Sequence, residues 1–375
     1  MADLELELSD PLRDATEHQP RARMVLATAL AAGPSHAYLL RGPRGSGKRR
    51  AARAFAAELL AAGSADPADA RRRALLDPSP HPDLVWLVPR GAQHLVEDVR
   101  ERVIRAAAYR PFEGAARVFV VEAAEAMRDE SQNALLKTLE EPPEFVHHLL
   151  LSSEPEALLE TIISRCQPVE FSPLSPSAVE ASLGEEVDPE EAAAAARLAA
   201  GDLERARFLV SERGRAFRRE VEQCVTAALD GEADSAPWRD LLDGAESEGA
   251  EAEESTREAL AAGAESGATT HSAREAGEEA KRAGRRRRTE VLDLGLELCA
   301  SWIRDLAAVA TGARDVVFNR DRLEDLDRQS QRIDVGRARR GIELVQDTRR
   351  RLELNVSEEL ALEALLYRLE RVLSA

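Results

Sequence analysis

The stretch Gly42-Pro43-Arg44-Gly45-Ser46-Gly47-Lys48-Arg49 constrains the fold more than any other in the chain. It matches the phosphate-binding pattern G-x-x-x-x-G-K-[ST] at seven of eight places. The exception is the last, Arg49, where a Ser or Thr hydroxyl ordinarily ligates Mg²⁺. Lys48 is no incidental cation. Only three lysines (Lys48, Lys137, Lys281) stand among 51 Lys and Arg, so a lysine at the one place that asks for a compact ammonium carries weight. Residues 37–40 read as a buried strand and residues 49–60 as an alanine-rich helix, whose N-terminus suits an anion. The bland alternative is a glycine-rich strand-to-helix turn that binds nothing.

The rest of the first half agrees with that context. Candidate strands at 38–40, 84–88, 118–121, 149–151 and 169–171 are short and continuously apolar, as parallel strands covered on both faces are. Helical patterns at 96–109 and 130–139 separate them, the second stopped by Pro142-Pro143. Such alternation predicts a doubly wound α/β sheet flanked by helices. Aromatics make up only 4% of the residues, so the cores should be mainly Leu, Val and Ala.

Beyond residues 171–176 the strand signal disappears. Four segments are expected: an α/β domain over 1–172, a small helical lid over 173–228, an acidic low-complexity insertion over 229–289 and a helical C-terminal domain over 290–375. Residues 230–280 hold 15 acidic and 3 basic residues of a chain whose net charge is −18, with few large apolar side chains. That composition predicts disorder or weak helix, and a removable insertion. The basic tract 281–288 reads as a solvated helix start or a contact for phosphate or an acidic partner. In the last helix Leu362, Leu365, Leu366, Leu369, Val372 and Leu373 form an apolar stripe, with Asn355 or Ser357 as its N-cap. Cys166, Cys224 and Cys299 are too few and too scattered for a disulfide framework or a four-thiolate zinc site. The acidic start and the lack of an apolar run of about 18 residues predict no secretory signal, no membrane span and a cytoplasmic location.

The second half of a nucleotide site is also altered. Residues 118–121 are an apolar strand ending in Glu122, where an ATPase places a metal-binding Asp, and the next residue is Ala123, which polarises nothing. Glu125 lies one helical turn on and is no obvious substitute. Phosphoryl transfer needs a positioned metal and an oriented nucleophile, so the loss of both groups predicts a catalytically idle pocket. ATP or ADP held without hydrolysis stays open, since Lys48 and the loop amides of Gly42, Gly45 and Gly47 remain.

Asn133-Ala134-Leu135-Leu136-Lys137-Thr138-Leu139-Glu140-Glu141-Pro142-Pro143, followed by Ser164-Arg165-Cys166, resembles the signature block of the bacterial DNA polymerase III clamp-loader AAA+ subunits. The resemblance runs from residue 36 through the loop, residues 81–84, 110–112 and this block, and resumes at 355–363; it does not cover the acidic tract. It implies an AAA+ domain, a lid and an oligomerising helical collar. Within the family the departures are similar to the delta-prime type, not the gamma/tau motors. Arg49 and Ala123 disable the site. At Gly201-Asp202-Leu203-Glu204-Arg205-Ala206, similar to the sensor-2 segment, Glu204 holds the usual arginine place. Residues 61–80 lack the family's four-cysteine module, so no zinc is expected.

The resemblance further implies that Arg165 acts as a finger in trans, contacting the γ-phosphate at a neighbouring subunit. Lys137 and Glu140 would hold helix and interface geometry, and Ser153 falls near the sensor-1 place. The implied partners are gamma/tau motor subunits, the delta subunit, the sliding clamp and, through the complex, primed DNA. No independent ATPase activity is expected, although the complex belongs to the polymerase III holoenzyme. Two rivals remain: an ATP-hydrolysing motor of the same complex, and a phosphate-loop relic acting as a regulatory module through its acidic tract.

Overall fold

The computed structural model of the protein describes residues 9–89, 93–184, 186–265, 273–352 and 356–374. These fall into two compact units: one up to Leu174 together with Thr256–Glu279, the other Ser175–Ser255 together with Ala280–Ala375.

The first unit is built on five parallel strands: β1 (Ala37–Arg41), β2 (Leu84–Leu87), β3 (Arg117–Val121), β4 (Val146–Ser152) and β5 (Gln167–Glu170). They lie in the order β2-β3-β4-β1-β5. The strands alternate sides although their sequences do not alternate in polarity. Tyr38, Leu40, Val118, Val120, Leu149 and Leu151 pack on one face with Phe55, Leu59 and Leu60. Leu39, Phe119, Val121 and Leu150 pack on the other with Val99, Leu135, Leu139 and Ile162. Both faces are dry, which explains why each strand reads as an unbroken apolar run. The expected α/β sheet is present, flanked by α1 (Asp10–Ala15), α2 (Pro20–Ala32), α3 (Lys48–Ala61), α4 (Pro67–Leu75), α5 (Val96–Asp98), α6 (Asp129–Glu140) and α7 (Glu160–Ile163). The helix expected over 96–109 departs from regularity: α5 passes directly into a π-helical stretch, Val99–Arg105. Pairing sets Arg41 opposite Ser152 and Val121 opposite Leu150, so β1, β3 and β4 end together at one edge. Ligands of open α/β sheets bind outside such carboxyl ends.

The remaining elements are helices, and the second unit holds them apart from Thr256–Glu279: α8 (Pro176–Leu183), α9 (Pro189–Leu198), α10 (Leu203–Val210), α11 (Glu212–Asp230), α12 (Trp238–Glu265), α13 (Ala273–Ala310), α14 (Leu323–Ser330), α15 (Val335–Leu352) and α16 (Glu358–Leu373). Many starts are set by sequence. The side chains of Ser175, Asp188, Asp202, Ser211 and Ser357 each accept a first-turn N–H. Of the two candidate caps for α16 the structure uses Ser357; Asn355 lies outside the described residues, as does the acidic start over 1–8. α11 packs on α16, so the segments expected as a separate lid and collar share one packed unit.

The tract expected to be disordered or weakly helical is instead a pair of long helices, apart from residues 266–272, which lie outside the described residues. Composition misled because the tract's few large side chains are concentrated where they count. Trp238, Leu241 and Ala245 at the base of α12 are buried, and Leu241 and Phe217 close on Gly295 of α13. Higher up, a Cβ on Gly249 would lie 2.9 Å from the Gly284 carbonyl oxygen, so two glycines let the backbones touch. The basic tract finds its acidic partner within the chain. Arg287 Nε donates to Glu248 (3.0 Å), and Arg288 pairs with Glu246 (3.1 Å) and Glu358 (2.6 Å). The base of the tract, as far as Ser255, is therefore part of the second unit's fold, not a removable insertion.

Candidate functional site

β1 hands the chain to Gly42, whose N–H bonds the Ser152 carbonyl (3.2 Å). At φ 149° and with any Cβ 2.1 Å from the Phe171 carbonyl oxygen, only glycine fits there. The loop continues through Gly45 (φ 72°) to Gly47 (φ 91°), after which α3 begins at Lys48. Lys48 is buried, and its Nζ donates to the carbonyls of Gly42 (2.5 Å) and Pro43 (2.6 Å). The ammonium thus braces the loop it belongs to. A second brace was not legible in the sequence. The buried Gln19 amide donates to Ser46 O (3.0 Å) and Ser172 O (2.7 Å) and accepts from Ser172 N (3.0 Å). It ties the segment before α2 to the loop and to the end of β5. No local signal marks Gln19, which reads only as the residue before a helix-starting proline.

Arg49, the residue after Lys48, is tied to two carboxylates. Its Nε bonds Glu122 (3.1 Å), the carboxylate at the end of β3, and its Nη2 bonds Asp77 (2.8 Å). Glu122 also accepts from Trp86 Nε1 (2.8 Å) on β2. Asp77 pairs through its other oxygen with Arg53 (2.9 Å), whose guanidinium lies 4.2 Å from the Trp86 ring centre and donates to the Leu76 carbonyl. Burial pushes the Arg53 guanidinium down, and Asp77 offsets part of that. Mg²⁺, which an intact loop implies, does not fit this donor set. A fixed guanidinium stands where a neutral hydroxyl is needed, and it already neutralises the carboxylate that would meet the ion. Asp77, Arg53 and Trp86 were all missed from sequence. The only available hint was Trp86 itself, a rare aromatic on a short apolar strand.

Ala123, at φ 48°, turns the chain sharply after Glu122 and presents only a methyl group. Glu125 is instead turned toward Ser153, which donates to its Oε1 from both Oγ (2.6 Å) and N (3.2 Å). Burial pushes the Glu125 carboxyl up, but the Ser153 hydroxyl, the nearby backbone N–H groups and Ser152 together outweigh it and hold the group below the usual carboxylate range. Arg165 follows α7 and is half-exposed. Its Nη1 donates to Thr161 O (2.9 Å) and its Nη2 to Glu140 Oε1 (2.6 Å) at the end of α6. The neighbouring Cys166 is buried, which pushes its thiol up to about 12.

The structure thus gathers Gly42, Gly45, Gly47, Lys48, Arg49 and Glu122 into one place and sets Arg165 apart, beside Glu140. In the second unit, the sensor-2-like Glu204 is exposed while Arg205 pairs with Glu297. Where the family's cysteine module is missing, α4 begins on an Asp66 cap and holds Glu58 through Arg71 (2.6 and 2.9 Å).

Residues 18–175 match a protein family described as DNA polymerase III, delta subunit. The delta' subunit of Bacillus subtilis is 32% identical over 180 residues, 46% of this chain and 54% of that protein. The tau/gamma subunit of Haemophilus influenzae is 37% identical over 149 residues, 38% of this chain and 21% of that protein. The matches thus span about half the length of one relative and less of the other. A DNA polymerase III gamma subunit-related protein of Thermotoga maritima superposes with a TM-score of 0.50 at 15% identity, covering 95% of this chain and 100% of that one, which is a likeness of fold. With the loop, the parallel sheet and the α6 block in place, residues 18–175 are thus similar to DNA polymerase III subunits of the delta' and tau/gamma kinds.

Proposed function

We propose that this chain is the delta-prime-type subunit of a bacterial clamp loader. It hydrolyses no ATP itself and lends Arg165 to the ATP site of an adjacent gamma/tau-type motor. The observation that carries this reading is the ion pair of Arg49 with Glu122, braced by Asp77. With a guanidinium in the metal's place and Ala123 where a water-polarising carboxylate belongs, the pocket lacks both requirements of phosphoryl transfer. Any nucleotide it holds would be gripped by the loop amides and Lys48 without turnover, and no zinc is part of the reading. Arg165, half-exposed at a helix end, can reach an acceptor on another subunit. An always-charged planar fork suits a γ-phosphate whose charge spreads in the transition state. The partners under this reading are the motor and delta subunits, with the clamp and primed DNA met through the assembled ring. A match to tau/gamma relatives keeps a motor role in view, but Arg49 speaks against it.

Single-turnover ATP hydrolysis in the reconstituted complex tests the proposal. Arg165→Ala should leave assembly intact and slow hydrolysis at the bordered site at least about tenfold. The isolated chain should show no motor-like turnover. An unchanged rate with Arg165→Ala, or rapid turnover by the isolated chain, would refute the reading.

A further inference from the structure

We infer that Glu140 is a positioning residue for Arg165, holding the guanidinium in the orientation in which it meets an incoming triphosphate. The inference rests on the reading of Arg165 as a donor in trans.

Three observations carry it. First, Glu140 sits where helix electrostatics disfavour it. It is the last residue of α6, which Pro142-Pro143 prevent from continuing, and a carboxylate at a helix C-terminus faces the negative end of the dipole. Something other than helix stability accounts for an acid there, and its partner is Arg165, 2.6 Å away. Second, Arg165 is held on two sides, by the Glu140 carboxylate through Nη2 and by the Thr161 carbonyl through Nη1 (2.9 Å). These contacts fix the plane of the fork while using two of its five N–H donors. Third, the pair is half-exposed, with 34% of the Arg165 side chain and 47% of the Glu140 side chain accessible. A pair in that setting contributes little to stability, so orientation is the effect left for it. The three N–H donors outside these two contacts can meet a triphosphate oxygen while Glu140 and Thr161 keep their hold. A flexible arginine is thereby pre-ordered before docking, and pre-ordering raises rate by lowering the orientational loss at reaction.

The experiment uses the reconstituted complex with its motor subunits and ATP, and compares Glu140→Ala, Glu140→Gln, Arg165→Ala and the double variant Glu140→Ala/Arg165→Ala. Glu140→Ala is expected to lower kcat at the bordered site by about three- to thirtyfold with KM little changed, because orientation acts on the transition state. Glu140→Gln keeps an acceptor of the same size and should recover a good part of the rate. The double variant should be no slower than Arg165→Ala, since Glu140 acts only through the arginine. Glu140→Ala and Glu140→Gln both at the unaltered rate would overturn the inference. So would a double variant whose loss is the product of the single losses, or a rise in KM with kcat unchanged. If Arg165→Ala itself leaves the rate unaltered, the proposed function fails; if Arg165→Ala is slow and Glu140→Ala is not, this inference alone fails.

Discussion

Arg49 and Arg53 lie one turn apart on α3 and share Asp77, yet their environments set them different tasks. The Arg49 side chain is 51% accessible and that of Arg53 only 10%. An exposed pair is screened by water, so Arg49→Ala should change stability by less than about 1 kcal/mol. Arg53→Ala removes a stacking partner from Trp86 and leaves the Leu76 carbonyl and Asp77 underserved, which should cost about 2–4 kcal/mol. Urea unfolding of the two variants checks the contrast, and equal losses would contradict it. The physical reason for the difference bears on function. Arg49 is held mainly by electrostatics at the mouth of the glycine loop, where the proposed function needs it, whereas Arg53 belongs to the packing against Trp86.

At the scale of elements, α12 and α13 show how an acid-rich sequence becomes a stable helix. Trp238 and Leu241 anchor the base, the two glycines bring the backbones together, and Arg287 and Arg288 neutralise Glu248 and Glu246. Trp238 is 4% exposed, so Trp238→Ala should destabilise the second unit by about 3–5 kcal/mol. Deleting residues 230–280 removes the whole anchor and should abolish cooperative unfolding of that unit. Thermal unfolding followed by circular dichroism distinguishes this from a dispensable tract, which would melt as the full chain does. α6 teaches a related lesson: its start and stop are local, but the worth of its last residue depends on an arginine 25 positions away.

For the whole molecule, the buried histidines link the α/β core to pH. His148 is fully buried on β4, stacked on Phe119 at 5.4 Å, and neither ring nitrogen has a partner among the described residues. Burial, with smaller contributions from His36 and His147, pushes its imidazole down to about 3. His81, His94 and His147 are also held below their ordinary values by burial. In this window the unfolded chain binds protons that the folded chain refuses. His148 therefore makes stability fall as pH drops from about 6.5 toward 3, by up to about 1.4 kcal/mol per pH unit, and the other three histidines act in the same direction. His148→Leu should flatten that slope by one proton's worth between pH 6.5 and 5, read from urea midpoints. An unchanged slope would show that His148 takes no part.

The strands of the sheet were legible because burial on both faces writes itself into consecutive residues, as in Val118, Phe119, Val120 and Val121. The loop was legible because Gly42, Gly47 and Lys48 answer local demands of backbone angle and charge. Sequence by itself therefore determined the α/β architecture and the backbone form of the glycine loop. Only the tertiary structure decided that Arg49 meets Glu122 across 73 positions, that Asp77 and Gln19 brace the loop, that Glu140 holds Arg165, and that an acidic tract folds on a basic helix. The division has one cause. Backbone angles and apolar periodicity act over a few residues, whereas an ion pair or a buried anchor exists only once the chain's path has brought distant groups within a few ångströms.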